Sequence, residues 1–257
     1  MSTLLGHPVS PDEARDLLRA AGLSGADARV VVDHLAAADA DGKPGHGLAR
    51  VPWLVDLLGS SRDPQGRPER VGHADGLERW DGKGALGYVT LAAICDSLVA
   101  DPPAGARLVV AESCFPTGVL GTWARRLSEV GFVAVVSATS PRRLPHPEGG
   151  PPLTGTNPIA IAVPSSDGWP FVADVSMGAV THGDVLLGRA RADELVPFGG
   201  AQAHKAFALA AGVELLVGGL AGAEPGAVIL VARPEHDPVP AFRELAAGRR
   251  LPGDGGR

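Results

Sequence analysis

The sequence predicts an α/β protein, in which helices cover the faces of a sheet and a helical region precedes that sheet. Helical patterns fill most of residues 1–60, and short continuous apolar runs alternate with helical patterns after residue 84. Strands that are apolar throughout are typical of a sheet covered on both faces. Hydrophobic residues make up 45% of the chain and charged residues 20%, which indicates a folded domain rather than a disordered chain.

Three helices are predicted in the N-terminal region. Ser10, Pro11 and Glu13 combine an N-cap, a first-turn proline and a capping-box glutamate, and apolar residues at helical spacing follow them. A second helix is predicted at 26–39 and ends before the glycine-rich turn GKPGHG. A third helix is predicted at 48–58.

The rest of the chain alternates strands and helices, after a polar stretch at 61–83 that suggests a short hairpin. Strands are predicted at 107–112, 132–139, 159–163, 171–175 and 227–232. Helices are predicted at 84–100, 119–130, 176–191 and 202–220. The first strands are not followed by G-x-G-x-x-G, so the usual dinucleotide-binding fingerprint is lacking. The predicted organisation is a helical subdomain at 1–60 that carries the His46 turn, a central α/β domain at 61–232 and a polar C-terminal tail at 233–257.

Charge and composition argue against nucleic acid as a partner. The chain has 23 Lys and Arg against 29 Asp and Glu, a net charge of −6, and its basic residues cluster only in short pairs such as Arg142–Arg143. Aromatic residues are 4% of the chain, too few to predict a base-stacking surface.

Metal, membrane and secretion signals are also lacking in the sequence. Cys95 and Cys114 have no CxxC or Cys/His spacing, so neither a disulfide scaffold nor a metal site is predicted. We read no signal peptide and no apolar run long enough to span a bilayer, and the expected compartment is the cytoplasm.

His46 is the first candidate functional residue. It lies between Gly45 and Gly47 in a turn between two helices, where glycines let a backbone approach a ligand closely and leave the imidazole accessible. Histidine is the side chain best suited to proton transfer near neutral pH. The competing interpretation is a surface histidine in a flexible turn, and the segment alone favours it.

Three further segments carry candidate residues, each with a purely structural alternative. The turn GTNP at 155–158 feeds a buried strand and can be turn chemistry alone. Asp174 ends a predicted strand and Ser176 begins the next helix, where they can either cap that helix or contact an anionic ligand. His204 and Lys205 lie in the first turn of a helix, where a cation opposes the helix dipole unless an anion is nearby.

Taken in order, these segments resemble the type-2 malate/L-lactate dehydrogenase family, which includes reductases of cyclic imino acids and dehydrogenases of sulfolactate. The matching motifs are GHGLAR (45–50), GTNPIAIAVP (155–164), ADVSMGAV (173–180), PFGG…HKAFALA (197–210) and RLPGD (250–254). The resemblance spans nearly the whole chain. It implies a nicotinamide-binding sheet unrelated to the Rossmann type, with the C-terminal tail returning to the site.

The resemblance also implies roles for individual residues. His46 matches the proton donor, and Arg50 matches the arginine that could bind a substrate carboxylate. The implied cofactor contacts, for NAD(P)H, are Asp174, Ser176, His204, Lys205, Gly253 and Asp254. Further candidate substrate contacts are Arg142, Arg143, Thr156 and Asn157. The family implies a small anionic substrate and a homodimer with the site at the subunit interface.

The chain also departs from the family pattern. Gly45 replaces the serine before the histidine, Phe115–Pro116 falls where an Asn-His pair is expected, and Ala206-Phe207-Ala208 replaces Gly-Tyr-Gly. The chain is also shorter than typical relatives, with material missing around residues 185–200 and 231–251.

These departures leave three hypotheses. The first is an NAD(P)-dependent reductase of a small 2-oxo or cyclic 2-imino acid, and it comes first because the family resemblance is the stronger observation. The second is a redox-silent cyclase, lyase or isomerase, for instance in specialised metabolite biosynthesis, that uses His46 as acid or base and binds no nicotinamide. The third is a non-catalytic partner protein.

Overall fold

The computed structural model describes residues 9–74 and 76–254. The three predicted N-terminal helices are present as α1 (Pro11–Ala20), α2 (Gly25–Ala40) and α3 (Val51–Leu58). Ser10 caps α1 as predicted, because its side chain accepts a hydrogen bond from the Glu13 amide. Two short 3-10 turns, Pro44–His46 and Leu48–Arg50, connect α2 to α3 and carry the glycine-rich motif.

A seven-stranded sheet forms the centre of the molecule. Its strands are β1 (Glu69–Ala74), β2 (Leu77–Asp81), β3 (Ala106–Glu112), β4 (Val133–Ala138), β7 (Ile159–Val163), β8 (Phe171–Val175) and β9 (Ala227–Ala232), in the order β1-β2-β3-β9-β4-β7-β8. A separate hairpin, β5 (Leu144–His146) and β6 (Gly149–Thr154), lies between β4 and β7 in the chain. In the large sheet, β2 and β3 pair parallel and the other described pairs are antiparallel. The α/β prediction is confirmed, with a mostly antiparallel sheet.

Helices pack on both faces of the sheet. The remaining helices are α4 (Gly87–Ala100), α5 (Leu120–Glu129), α6 (His182–Leu186), α7 (Ala203–Ala221) and α8 (Val239–Ala246). The main core lies between the first five helices, α1 through α5, and one face of the sheet. Val109 and Ala111 point into this core. Val110, between them in the strand, packs against Val213 and Val217 of α7 on the opposite face. The alternating direction of successive side chains therefore explains why these strands are apolar throughout.

One prediction about a helix is wrong. The helix expected at 176–191 is limited to α6, because Thr181 caps a helix that begins at His182, and Gly188 adopts a positive φ just past its end. The polar tail from Arg233, in which no helix was predicted, contains α8. The hairpin β5–β6 is also unpredicted, since its sequence PHPEGGPP reads as a loop.

Helix α7 contradicts the expectation that the chain has no apolar run long enough to span a bilayer. Residues Gly200–Ala221 are long and apolar enough to cross a membrane by length and composition alone. One face of α7 packs on the sheet, whereas three leucines of its other face are exposed, namely Leu209, Leu215 and Leu216.

Candidate active site

A cavity of about 360 Å³ lies where the loop between α2 and α3 meets the start of α6. It brings together six of the residues predicted from the sequence, namely His46, Arg50, Arg143, Thr156, Asp174 and Ser176. These residues come from separate parts of the chain, and the sheet and the helical region meet at this point. The His46 turn therefore faces a concave surface.

His46 and Arg50 form a hydrogen-bonded pair at the cavity wall. Arg50 is buried, and its Nη1 lies 3.2 Å from Nδ1 of His46. A guanidinium group only donates, so Nδ1 accepts and the neutral imidazole carries its proton on Nε2. The Arg50 guanidinium carbon also lies 4.4 Å from the ring centroid of Trp53, which holds the arginine in place.

The surroundings of His46 favour its neutral form. Burial and, to a smaller extent, the positive charges of Arg50 and Lys43 lower the pKa of His46 to about 3, while the carboxylate of Asp184 acts in the opposite direction. In the free protein His46 is therefore neutral at neutral pH. An anion bound beside Arg50 would oppose the effect of the two cations on the His46 pKa.

Two arginines give the cavity its positive charge. Burial lowers the pKa of Arg143, and the nearby charge of Arg50 adds to the effect. Arg143 donates to the carbonyl oxygen of Pro141 at 3.2 Å. Within the described ranges, neither Arg50 nor Arg143 has a carboxylate at ion-pair distance. Guanidinium groups in this situation suit a carboxylate ligand.

The cavity lining also includes two rings. Phe115 and His182 line the cavity, and both pack edge-to-face on Trp53, with ring centroids 6.1 and 6.2 Å from it. Burial lowers the pKa of His182 to about 4, with a contribution from nearby arginines, so this ring is neutral at neutral pH. A ligand in the cavity therefore meets both guanidinium groups and neutral rings.

A second cavity of about 420 Å³ adjoins the first. Lys43 and Asp174, which form an ion pair with Nζ 3.1 Å from Oδ2, line both cavities. Arg125 lines the second cavity, donates from Nη2 to the Gly253 carbonyl oxygen at 2.8 Å, and stacks on Trp169 at 5.2 Å. Its Nη1 is buried and has no hydrogen-bond partner in the described part of the chain.

Two predicted residues have structural contacts instead of a place in either cavity. Asn157 is fully buried, and its Nδ2 donates to the Ala210 carbonyl oxygen at 2.9 Å and to Glu214 at 2.7 Å. Arg142 is exposed, with its Nε 3.9 Å from the Glu214 carboxylate. Asn157 therefore anchors the turn before β7 to α7, which the motif alone did not reveal.

Of the four cofactor contacts predicted after residue 200, one lines a cavity. Gly253 lines the second cavity. Asp254 accepts a hydrogen bond from the Leu251 amide at 2.9 Å and so stabilises the turn that holds Gly253. His204 and Lys205 are exposed in the first turn of α7 and line neither cavity.

Sequence reasoning missed several residues of the site. Lys43, Arg125, Thr181, His182 and Asp184 line the cavities but were not singled out. One signal was available, because Thr181 and Asp184 have the spacing of a capping box. No comparable local signal marks Lys43, Arg125 or His182. Among the described residues, no group of three or more His, Cys, Asp or Glu is placed to hold a metal ion.

Comparison with known proteins identifies the family of the chain. A sequence model of the malate/L-lactate dehydrogenase family matches residues 11–202. The chain is 33% identical over 254 residues to a Δ1-pyrroline-2-carboxylate/Δ1-piperideine-2-carboxylate reductase of Pseudomonas putida, covering 86% of this chain and 72% of the relative. It is 31% identical over 202 residues to the (2R)-3-sulfolactate dehydrogenase (NADP+) of Chromohalobacter salexigens, covering 76% of this chain and 60% of the relative.

Solved structures give the same result. The Δ1-piperideine-2-carboxylate reductase of Pseudomonas syringae superposes with a TM-score of 0.80 at 27% identity, covering 97% of this chain and 92% of that one. A dehydrogenase from Sinorhizobium meliloti superposes with a TM-score of 0.82 at 25% identity, covering 98% of this chain and 91% of that one. The chain belongs to the malate/L-lactate dehydrogenase family.

Proposed function

We propose that this protein is an NAD(P)-dependent reductase of a small 2-oxo acid or cyclic 2-imino acid. The observation that carries the proposal is the His46–Arg50 pair in a cavity with two guanidinium groups that lack carboxylate partners. The names of the relatives, which are reductases and dehydrogenases of small acids, support the redox hypothesis over the cofactor-independent one.

Arg50 and Arg143 are proposed to bind the substrate carboxylate. Both line the first cavity, and bidentate guanidinium–carboxylate contacts fix orientation as well as position. Phe115 and His182 would then contact the apolar part of the substrate. In this proposal the 2-keto or 2-imino carbon lies next to His46, with Thr156 and Ser176 as further polar neighbours.

His46 is proposed to transfer the proton. Its Nδ1 accepts from Arg50, which leaves Nε2 as the nitrogen that can serve the keto oxygen or the imine nitrogen. The bound carboxylate offsets the positive charge of Arg50 and raises the pKa of His46 from its low value in the free protein. Substrate binding thus prepares the imidazole to act as an acid.

The second cavity fits the anionic part of a nicotinamide cofactor. Arg125 offers a buried Nη1 that has no hydrogen-bond partner among the described residues, and Arg250 adds positive charge, whereas the charge of Lys43 is offset by Asp174 and Asp41 also lines this cavity. Trp169 and Gly253 complete the wall beside Arg125. When bound, NAD(P)H supplies the hydride. Arg125 and Arg250 would hold its phosphates, and Lys43 and Asp174 line both cavities, next to where the substrate would lie.

We also propose a homodimer. In the single chain His204 and Lys205 are exposed at the start of α7, and the same helix exposes Leu209, Leu215 and Leu216. A second copy packed on this apolar face would cover the leucines and bring the two basic residues to an interface. Analytical ultracentrifugation of the wild type and of Leu215→Glu tests the dimer. We expect a dimer for the wild type and dissociation for the variant.

The proposed compartment is the cytoplasm. Cys95 and Cys114 are free and buried, which suits a reducing environment. Burial raises the pKa of each thiol to about 12, so neither is expected to react.

A steady-state substrate panel tests the function. NADH or NADPH oxidation is followed at 340 nm with pyrroline-2-carboxylate, piperideine-2-carboxylate, oxaloacetate and sulfopyruvate. We expect oxidation with at least one of these acids and binding of the reduced cofactor in the absence of substrate. Failure to bind either cofactor at millimolar concentration contradicts the proposal. Turnover of an acid with no cofactor added favours the cofactor-independent hypothesis instead.

A further inference from the structure

One continuous segment forms a large part of the first cavity. Residues 115–120, here called the 115–120 wall, all line that cavity, and Val119 also lines the second one. The segment follows β3 and enters α5 at Leu120. The position of the 115–120 wall therefore determines the shape of the first cavity and of its border with the second.

His34 of α2 contacts the 115–120 wall from the protein interior. Its Nε2 accepts a hydrogen bond of 2.8 Å from the Val119 amide. Val119 is the N-cap residue of α5 and has no polar side chain with which to cap the helix. Because the first amides of a helix have no acceptor within that helix, they need one from elsewhere. His34 supplies it from a distant part of the sequence.

Close packing fixes this contact. A Cβ atom at Gly118 would overlap both Nε2 of His34 and Cε1 of Tyr88, so the backbone lies directly on the two rings. The ring of His34 stacks on the indole of Trp123, with ring centroids 4.7 Å apart. That indole donates from Nε1 to the Thr117 carbonyl oxygen at 2.8 Å. His34 and Trp123 therefore hold the backbone on either side of Gly118.

His34 can accept this hydrogen bond because it is neutral. A protonated imidazole has no acceptor atom. Burial lowers the pKa of His34 to about 3, and the nearby His46, Arg50 and Lys43 act in the same direction. The neutral ring carries its proton on Nδ1, which is buried and has no hydrogen-bond partner in the described part of the chain. A leucine at this position would avoid that unpaired donor, so the acceptor at Nε2 is what the histidine contributes.

We propose that His34 is a positioning residue of the active site, which holds the 115–120 wall in place through the Val119 amide. The inference rests on the proposed function, because it takes the first cavity to be the site that binds the acid. His34 acts through the backbone of the wall and does not line the cavity itself.

Hydrogen exchange of the Val119 amide, followed by NMR at pH 7, tests the contact without any activity. We expect exchange to be at least about tenfold faster in His34→Leu than in the wild type, because leucine offers no acceptor. His34→Gln should stay close to the wild type, since its Oε1 can accept from the same amide. Unchanged exchange in His34→Leu, or equally fast exchange in both variants, would overturn the inference.

Steady-state kinetics with an acid from the substrate panel test the functional part. We expect kcat/KM for the acid to fall about 10²-fold in His34→Leu, because a small displacement of a substrate-positioning segment costs about that much, and to fall at most about threefold in His34→Gln. Leu98→Ala is the matched control, because Leu98 is fully buried in α4 and lines neither cavity. An equal loss in Leu98→Ala, or a loss in His34→Gln as large as in His34→Leu, would contradict a positioning role.

Gly118→Ala disturbs the same contact from the side of the wall, and it decides the matter if His34→Leu does not fold. Its added methyl group meets His34 Nε2, so we expect faster exchange at Val119 and a lower kcat/KM. Wild-type values for both quantities in Gly118→Ala would refute the proposal.

A failure of the proposed function is distinguishable from a failure of this inference. If the wild type oxidises no cofactor with any acid tested, the proposed function fails, whereas the exchange of the Val119 amide still shows whether His34 holds the wall. Faster exchange in His34→Leu with protection retained in His34→Gln supports the contact in that case, and identical exchange in all variants overturns it.

Discussion

Arg50 donates a hydrogen bond to Nδ1 of His46 across 3.2 Å, and this contact determines which imidazole nitrogen is free. Because guanidinium has no acceptor, the neutral histidine carries its proton on Nε2. The pair also joins the two functions of the site, since Arg50 is both the partner of His46 and a proposed ligand of the substrate carboxylate. Substrate binding and proton transfer are therefore coupled through one side chain.

The first prediction concerns Arg50 itself. Arg50→Lys removes the planar donor group that contacts His46 and the carboxylate together, so we expect KM for the acid to rise at least about tenfold and kcat to fall. Steady-state kinetics measure both. Arg62→Lys is a matched control, because Arg62 also lies over an aromatic ring, Phe115, but outside the cavity lining. Equal kinetic losses in the two variants would contradict the role of Arg50.

The second prediction concerns acid stability. His34 is 3% exposed, its Nε2 accepts from the Val119 amide at 2.8 Å, and burial lowers its pKa to about 3 from 6.5. The unfolded chain therefore binds more protons than the folded one between these values, so stability is lost as the pH falls below about 6.5. From this residue alone we expect the free energy of unfolding to be about 2 kcal/mol lower at pH 5 than at pH 7.

Urea unfolding at pH 7 and pH 5 measures this effect. His34→Gln retains a hydrogen-bond acceptor but does not titrate, so its free energy of unfolding should change less between the two pH values. The same pH dependence in the variant and the wild type would refute the assignment to His34.

The third prediction concerns the cofactor. Arg125→Ala removes the guanidinium group that lines the second cavity, and we expect KM for NAD(P)H to rise about tenfold while KM for the acid is nearly unchanged. Arg126→Ala is the control, because the neighbouring Arg126 forms an exposed ion pair with Asp96 and lines neither cavity. The cofactor assignment is wrong if both variants change cofactor KM equally.

The fourth prediction concerns a buried ion pair far from the cavities. Glu78 is fully buried, accepts from Trp80 Nε1 at 2.5 Å, and lies 3.4 Å from Arg107 Nη1. Arg107→Met leaves this carboxylate without its buried cation, so we expect a loss of about 3 kcal/mol in the free energy of unfolding. Adding Glu78→Gln to Arg107→Met should recover part of that loss, and chemical denaturation measures each variant. No recovery in the double variant would mean that Arg107 stabilises through packing alone.

Much of the fold follows from local sequence patterns. The Ser10 cap, the apolar runs of β3, β4 and β9, and α7 lie where helical and strand patterns predict them, because each signal is contained within one element. The hairpin β5–β6 has no such signal, since Pro and Gly dominate its residues. The register that makes the sheet mostly antiparallel depends on contacts between distant strands and was not predictable.

Some residues of the site could likewise be recognised from a local motif, and others could not. His46 and Arg50 share one short motif and could be recognised together. Lys43 with Asp174 and Arg125 with Gly253 are pairs more than a hundred residues apart in the chain, so only the folded structure brings them into contact. Asn157 was predicted to contact substrate because its motif matches the family. The hydrogen bonds of its side-chain amide, however, are to other parts of the fold.

Deuterium transfer tests the central claim most directly. The protein is incubated with NADPH deuterated at the reactive C4 position and an acid identified in the substrate panel, and the product is analysed by mass spectrometry. We predict that the wild type places one deuterium on the product carbon that carried the keto or imino group, and that His46→Asn does so about 10²- to 10⁴-fold more slowly. A product formed without deuterium, or formed equally fast by His46→Asn, would contradict the account.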